Sequence, residues 1–541
     1  MTVTTTALLA STLIGGCAVT DRGSQTSSGA GGSAVSSAEA PPEPHTGGAI
    51  NYALIAETDG WNPALSRWGG SGLDVANAIF DRLAVFDESG QVRPYLARAI
   101  EHNADFTVWT IFLRPGVTFH DGTAVDAGAV KANLDAFKAS PLTSGTLTPV
   151  GSVVATDTTT VTVTMTSPWS TYPVQLASQT GTIAAPSMLE SPDGARHPVG
   201  SGPFVFQAWS PDVKLSVAKN AKYWRPGFPR LESIQFRVIP DSKSREAALR
   251  SGDVDAMENV DPLTSDSLRS AESTEKFQVL SAPTNETDET MVMLNTAQAP
   301  FDDIVARRAL AHATDPDALV EVLSPSVQVA TSPYRKGSRW SADAAPQGFD
   351  LAAARREVDE YKATHGGAFS FQLNGIPDLE VQQMEQLLQQ QWAAAGIEVT
   401  IVNTEQAGLI NQALVGSYQA TMWRQFSSPN PDGEYVWWHG SNAKGVGQLA
   451  LNMVRNKDPE LDAALDRARR TDQVADQKAA WATVQQRLND DLPYIWLYHT
   501  TAEIITTNEV HEMTRSTLPD GAPALGQVGF VHDWGPVWIE N

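Results

Sequence analysis

The chain has 541 residues, 42% hydrophobic and 18% charged, enough for a large core and for several domains at ~150 residues each. Its formal net charge of −24, from 38 Lys and Arg against 62 Asp and Glu, argues against a nucleic-acid partner, which needs clustered cations for its phosphates. A single cysteine excludes an internal disulfide and Cys-rich zinc sites, and with no apolar run of about 18 residues any membrane link is an anchor. The acidity keeps such a chain soluble; the alternative is a negative cleft that attracts cationic ligands, and the sequence does not place the charge.

In chain order, Ala7 to Gly16 is a short apolar-to-small run that ends at the only cysteine, Cys17. The stretch resembles a lipobox, and that resemblance makes residues 1–17 a signal peptide and Cys17 the lipid-bearing first residue of the mature protein. Met1 to Leu13 carries no Lys or Arg, a departure from the usual export signal. From Gly23 to Pro44, 17 of 22 residues are Gly, Ser, Ala or Pro, too little apolar surface to offset ordering entropy, so residues 18–47 are expected as a flexible tether. Such a coil of 30 residues reaches roughly 30 Å.

Beyond the tether, Ala49 to Ile55 reads as a strand, and Ser71 to Leu83 as a helix with Val75, Ile79 and Leu83 on one face. Val161 to Met165 alternates at period two. So do Phe204 to Phe206 and Lys214 to Val217, on either side of the turn Ser210-Pro211-Asp212, and these segments are expected to pair as antiparallel strands. A longer helix is expected from Leu379 to Ala395, with Gly396 as its stop and the strand Ile397 to Val402 after it. That alternation indicates an α/β chain whose C-terminal half has its own sheet.

An ordered series of blocks then comes into view. It runs through Thr58-Asp59-Gly60-Trp61-Asn62-Pro63, Leu113-Arg114-Pro115-Gly116-Val117-Thr118-Phe119-His120-Asp121-Gly122, Gly200-Ser201-Gly202-Pro203-Phe204 and Asn220-Ala221-Lys222-Tyr223-Trp224, and ends at Leu492-Pro493-Tyr494-Ile495-Trp496. In this order the blocks resemble the large solute-binding proteins of ABC importers for peptides, nickel complexes and some oligosaccharides. The resemblance implies a bilobal α/β fold of the periplasmic-binding-protein type II class, with an extra subdomain and discontinuous lobes joined by a hinge. Its expected limits are 48–79, 198–284 and 505–541 for lobe I, 80–197 for the extra subdomain and 285–504 for lobe II.

It also implies a lipid-anchored extracytoplasmic monomer that captures oligopeptides or dipeptides and hands them to permease subunits driven by cytoplasmic ATPases, with no cofactor and no metal. No G-x-x-x-x-G-K-[ST] loop occurs, so the energy comes from a partner. Gly200, Ser201 and Gly202 are read as a hinge-proximal turn needing unusual φ and ψ, and His120-Asp121-Gly122 as a tight turn.

The family's ligand segment corresponds to Ala420 through Asp432. Trp423 is kept, but with Pro431 aligned the family's amine-binding Asp falls on Ser427, so a charged amine anchor is missing there. Arg424 would meet a carboxylate bidentately, or else form an outward salt bridge. Gln425, Phe426 and Ser427 continue the contact segment. Tyr435, Trp437 and Trp438 add aromatic walls, some of them core, with His439 next; Trp61 is the expected contact from the opposite lobe.

Two other ligand classes, an oligosaccharide and a metal chelate, stay open, as does a lipoprotein sensor or scaffold that no longer transports. An enzyme is not expected. There is no G-x-S-x-G, the cysteine is used at the terminus, and His511-Glu512 lacks the second His of a zinc protease.

Overall fold

Strand β1 (Ala49–Leu54) follows at once on the expected tether, and helix α1 (Gly70–Ile79) buries Val75 and Ile79 against the same layer. The computed structural model describes residues 43–540 apart from 282–287, 325–326, 345–347 and 426–427. The chain separates into Met1–Pro44, of which only Glu43 and Pro44 are described, and His45–Asn541, the unit considered below. Cys17, the signal segment, most of the tether, Phe426 and Ser427 lie outside the described residues.

Helix α1 stops at Ile79, short of the expected Leu83. Phe80 is extended, and the Leu83 N–H goes to the Gly181 carbonyl at 2.9 Å rather than back into a helix. Next come β2 (Ala97–His102), β3 (Val108–Leu113), β4 (Val150–Ala155) and β5 (Thr160–Met165), which form a four-stranded antiparallel sheet in the order β2-β3-β5-β4. Val161 and Val163 of β5 point into its core with Ile111 and Trp109, and Thr162 faces outward, as period-two alternation requires. The tight turns in this region are as expected: Gly116 and Gly122 have φ of +79° and +86°, and Asp121 Oδ1 accepts from the Thr123 N–H at 2.9 Å.

The chain then supplies β6 (Phe204–Ser210), β7 (Lys214–Lys219), β8 (Ser233–Val238), β9 (Ala256–Asn259) and β10 (Phe277–Ser281). After 282–287 it supplies β11 (Asp288–Leu294), β12 (Gln328–Val329) and β13 (Ser370–Gly375). Helix α2 (Leu379–Ala394), β14 (Glu398–Asn403), β15 (Ala420–Gln425), helices α3 (Pro459–Arg469) and α4 (Val474–Asp491), β16 (Tyr494–Thr500) and β17 (Glu503–Thr507) follow.

Seven strands make one sheet, in the order β10-β17-β9-β1-β8-β7-β6, with β1 parallel to both β8 and β9. Six make a second, β12-β16-β11-β15-β13-β14. The β6–β7 hairpin is antiparallel as expected, whereas β5 belongs to the separate four-stranded sheet, because alternation specifies a period and not a partner. Two stretches connect the large sheets: 282–287, and Thr501–Ala502 between β16 and β17. The expected lobe limit at 504 therefore falls inside β17.

The second sheet is covered on both faces. Met422, Val292 and Tyr498 face α2, whose Trp392 is fully buried with its indole N–H on Thr314 at 2.9 Å. Met291, Met293 and Trp496 face α3 and α4, where Leu461, Leu465 and Trp481 meet them. Each such apolar side chain contributes about 1.5–3 kcal/mol of burial, so this double cover fixes register: a one-residue slip would exchange the faces. Part of the acidity also has a local use, since Asp126, Asp241, Asp303, Asp350, Asp378 and Asp458 each accept a backbone N–H at a helix N-terminus.

Candidate functional site

The last turn of β15 carries the residues that the sequence singles out. Strand alternation sends them to opposite faces: Trp423 packs with the α3–α4 side, and Arg424 turns toward α2. Trp423 is only partly buried, and its indole N–H lies 3.2 Å from the Gln425 Oε1. Gln425 stands opposite Glu289 in the β11 register. Arg424 sits 3.7 Å from Glu380, whose other contact is the Tyr498 hydroxyl at 3.0 Å. Of the two readings of Arg424, the arrangement is a salt bridge, and it points inward rather than outward.

The remaining expected contacts divide by burial. Trp437 is partly exposed beside the α3–α4 core, and Trp438 lies inside it, edge-on to Trp481 at 6.3 Å and to Tyr334 at 6.4 Å. Tyr435 stacks on His439 and donates its hydroxyl to Asp466 at 2.9 Å. Trp61 is 2% exposed in the core under the seven-stranded sheet, edge-on to Trp209 at 5.8 Å, with no partner for its indole N–H.

Gly200, Ser201 and Gly202 press on the end of α1 at the junction of the four-stranded and seven-stranded sheets. The Gly202 N–H bonds the Ile79 carbonyl at 2.9 Å, and a Cβ on Gly200 would lie 2.1 Å from the same oxygen. Glycine is needed there for close approach, and neither residue lies in the left-handed region. The Ser201 hydroxyl donates to Asp81, whose carboxyl burial pushes up to about 6 against hydrogen bonds from Ser201, Trp224 and Tyr223.

Three further groups, none evident from the sequence, gather beside Gln425. Glu289, Glu434 and Tyr334 are 2%, 3% and 3% exposed, and Glu289 Oε2, Glu434 Oε2 and the Tyr334 hydroxyl each lack a hydrogen-bond partner. Glu434 Oε1 accepts the Ser428 N–H at 3.3 Å, so this carboxyl is held at the start of the segment that follows β15. Burial drives both carboxyls up, that of Glu434 to about 8 with Asp288 adding to it, and that of Glu289 further through Glu434 and Asp288. The Tyr334 phenol is raised by burial and then by the same two carboxylates. The signal in the sequence is Asp288-Glu289, separated only by Thr290 from the apolar run Met291 to Leu294: acids in phase with a buried strand.

A second missed group joins segments far apart in the chain. The buried Asp432 accepts from the Trp169 indole N–H at 3.0 Å and from Gln175 at 3.4 Å, and pairs with Arg469 at 2.5 Å. The Arg469 guanidinium lies over both the Trp169 and Tyr435 rings, 4.3 and 3.3 Å from their centroids. The Ser170 N–H adds a bond to the Arg469 carbonyl at 2.6 Å. The segment that follows the four-stranded sheet is thus fastened to the turn after β15 and to the end of α3.

A separate cavity of about 50 Å³, lined by Asp81, Arg82, Tyr95, Tyr223 and Asp533 among others, is the size of a water site rather than an organic ligand site. Among the described residues no helix is long and apolar enough to cross a membrane, and no three His, Cys, Asp or Glu side chains are grouped to hold a metal.

Comparison with known proteins agrees with this architecture. The glutathione-binding protein GsiB of Pectobacterium atrosepticum is 26% identical over 467 residues, spanning 82% of this chain and 87% of that one. Two solved structures superpose on nearly the whole chain. The periplasmic binding protein DppA of Helicobacter pylori, in complex with the peptide STSA, matches with a TM-score of 0.80 at 21% identity, covering 92% of this chain and 99% of its own. NikZ of Campylobacter jejuni, in complex with Ni(L-His), matches with a TM-score of 0.76 at 22% identity, covering 89% and 97%. Residues 91–446 match the family described as bacterial extracellular solute-binding proteins, family 5. With that match over most of its length, and with a bilobal α/β fold, the chain belongs to the family 5 bacterial extracellular solute-binding proteins.

Proposed function

We propose that the protein is the ligand-capturing subunit of an ABC importer, tethered outside the cytoplasm by lipid on Cys17, which closes its lobes on a short peptide or peptide-like molecule and passes it to a permease. The observation that carries this reading is the end of β15. There a partly exposed Trp423 and Gln425 stand beside buried polar groups with unfilled hydrogen-bonding capacity, close to where the two lobes are fastened together.

Trp423 supplies an apolar face that tolerates varied side chains, and Gln425 supplies both a donor and an acceptor for a main chain. Trp437 borders the same face. Trp61 buttresses the opposite lobe through Trp209, and Phe426 and Ser427 continue the contact segment. In this reading 48–79, 198–284 and the chain from β17 onward form lobe I, 80–197 its extra subdomain, and the chain from 285 to the end of β16 lobe II, the passage between lobes moving from the expected 504/505 limit to Thr501–Ala502. The glutathione and peptide ligands named for the relatives support a ligand that carries amide groups.

The protein is a binding subunit rather than an enzyme, and works as a monomer. Mass spectrometry of what copurifies with residues 45–541, first under native and then under denaturing conditions, tests the assignment. A ladder of peptides or a single small peptide is expected. A discrete sugar or metal chelate would replace the ligand class and keep the importer role; an empty protein that binds nothing would favour a sensor or scaffold.

A further inference from the structure

We propose that Glu289 and Glu434, together with the Tyr334 hydroxyl, form the receptor for a primary ammonium group of the ligand, in place of the aspartate that is absent at Ser427. The inference rests on the importer reading above and names the chemical class of its ligand.

Three observations carry it. The two carboxylates come from different elements, the start of β11 and the turn Pro431–Glu434, and Tyr334 comes from a third segment, so the grouping is a product of the fold and not of local sequence. The Oε2 atoms of Glu289 and Glu434 and the phenol oxygen are all buried, and none bonds another or any described residue. A buried polar atom left unmatched is costly, so these three, which act on one another electrostatically, mark a place that a partner occupies. The charges that raise the two carboxyls are those of other acids, and His499, opposite Glu289 in the β16 register, is kept neutral by burial and then by Arg335.

The occupant follows from the chemistry. An ammonium has three N–H donors and no acceptor, which matches three acceptors, two of them ionisable. Aromatic faces close the surroundings: Tyr334 is edge-on to Trp438, and Tyr494 stacks on Trp496 with ring centroids 5.0 Å apart, an environment that favours a cation and not an anion. Without a cation, burial holds the two carboxyls in their protonated form, and an ammonium lets them ionise against it; a neutral sugar supplies no charge for that. The site adjoins Gln425 through the β11 register and Ser428 through its N–H on Glu434, so an amine held there leaves the rest of the ligand running along Trp423.

The test is calorimetric titration of residues 45–541 with two probes, tetra-alanine and glutathione, each with a free amine and each N-acetylated. The free amines are expected to bind at least tenfold more tightly than their acetylated forms. Glu289→Gln, Glu434→Gln and Tyr334→Phe are each expected to remove most of that preference while leaving the acetylated probes unchanged and the fold intact by circular dichroism. Equal binding of free and acetylated probes, or variants that keep the preference, overturns the inference. If neither amine probe binds, the inference also falls: a copurified ligand without a cationic nitrogen then leaves the importer role standing, and the absence of any ligand removes both.

Discussion

The fastening at Asp432 gives a direct way to test whether the lobes are held as described. Trp169→Phe removes only the indole N–H and part of the ring, and Asp432→Asn removes the charge that accepts it at 3.0 Å. A hydrogen bond to a charged acceptor is worth about 1.5–3 kcal/mol net; since the same N–H also lies 3.2 Å from the Thr171 hydroxyl, the low end applies. Breaking the buried Asp432–Arg469 pair would cost about 3–5 kcal/mol, reduced by the stacking of Arg469 on Tyr435, which survives the change. The pair in combination is therefore expected to be less destabilising than the sum of the single changes by about 1.5 kcal/mol, as for side chains in contact. Urea unfolding of the wild type, both single variants and the double variant measures this. The same coupling should appear in ligand affinity, because Trp169 and Asp432 lie in different lobes and Arg469 does not separate from Asp432 when the lobes part. Additivity within about 0.5 kcal/mol would refute the contact as a working link.

Other outcomes follow from single sites. Trp438→Ala, inside the α3–α4 core, is expected to lower stability by about 3–5 kcal/mol, and Trp423→Ala, half-exposed, to lower stability far less while weakening ligand binding tenfold or more; calorimetry on both variants separates the two roles. Gly202→Ala would place a Cβ 2.6 Å from the Ile79 carbonyl carbon and is expected to cost about 1–3 kcal/mol in urea unfolding, with no change at all counting against the close approach. The ligand-free protein should lose stability as pH rises. The Glu434 carboxyl titrates near 4.5 unfolded and about 8 folded, so its contribution is complete below the first value and lost through the second, at ~1.4 kcal/mol per pH unit in the limit. Glu289, raised by burial and then by Glu434 and Asp288, pushes in the same direction. Glu434→Gln should flatten the melting temperature between about pH 5 and pH 8 and raise it at the upper end; an unchanged profile would mean that Glu434 is not held protonated.

Periodicity carried the scaffold further than it carried the site. The strand at Ala49, the hairpin around Asp212 and the helix–strand unit from Leu379 to Asn403 are local patterns, and the chain folds them as their apolar spacing requires. The partner of a strand is not local. Thr160–Met165 alternates like the hairpin strands and yet pairs in another sheet, because its Val161 and Val163 complete a core that begins fifty residues earlier at Trp109. Among the aromatics of 423–438 the sequence marks size and not exposure, so Trp423 at the sheet end and Trp438 in the core read alike. Asp432, Trp169 and Arg469 meet only through topology. Glu289 and Glu434 were hidden for a physical reason: charged residues are almost always at the surface, and these two are buried.

The most direct measurement is diffraction from crystals of residues 45–541 grown with the copurified ligand retained. The account expects ligand density between the lobes, in van der Waals contact with Trp423, with a nitrogen within hydrogen-bonding distance, ~2.7–3.2 Å, of Glu289 and Glu434. Density bound elsewhere on the protein, or a space beside Trp423 filled by side chains with ligand present, would contradict it.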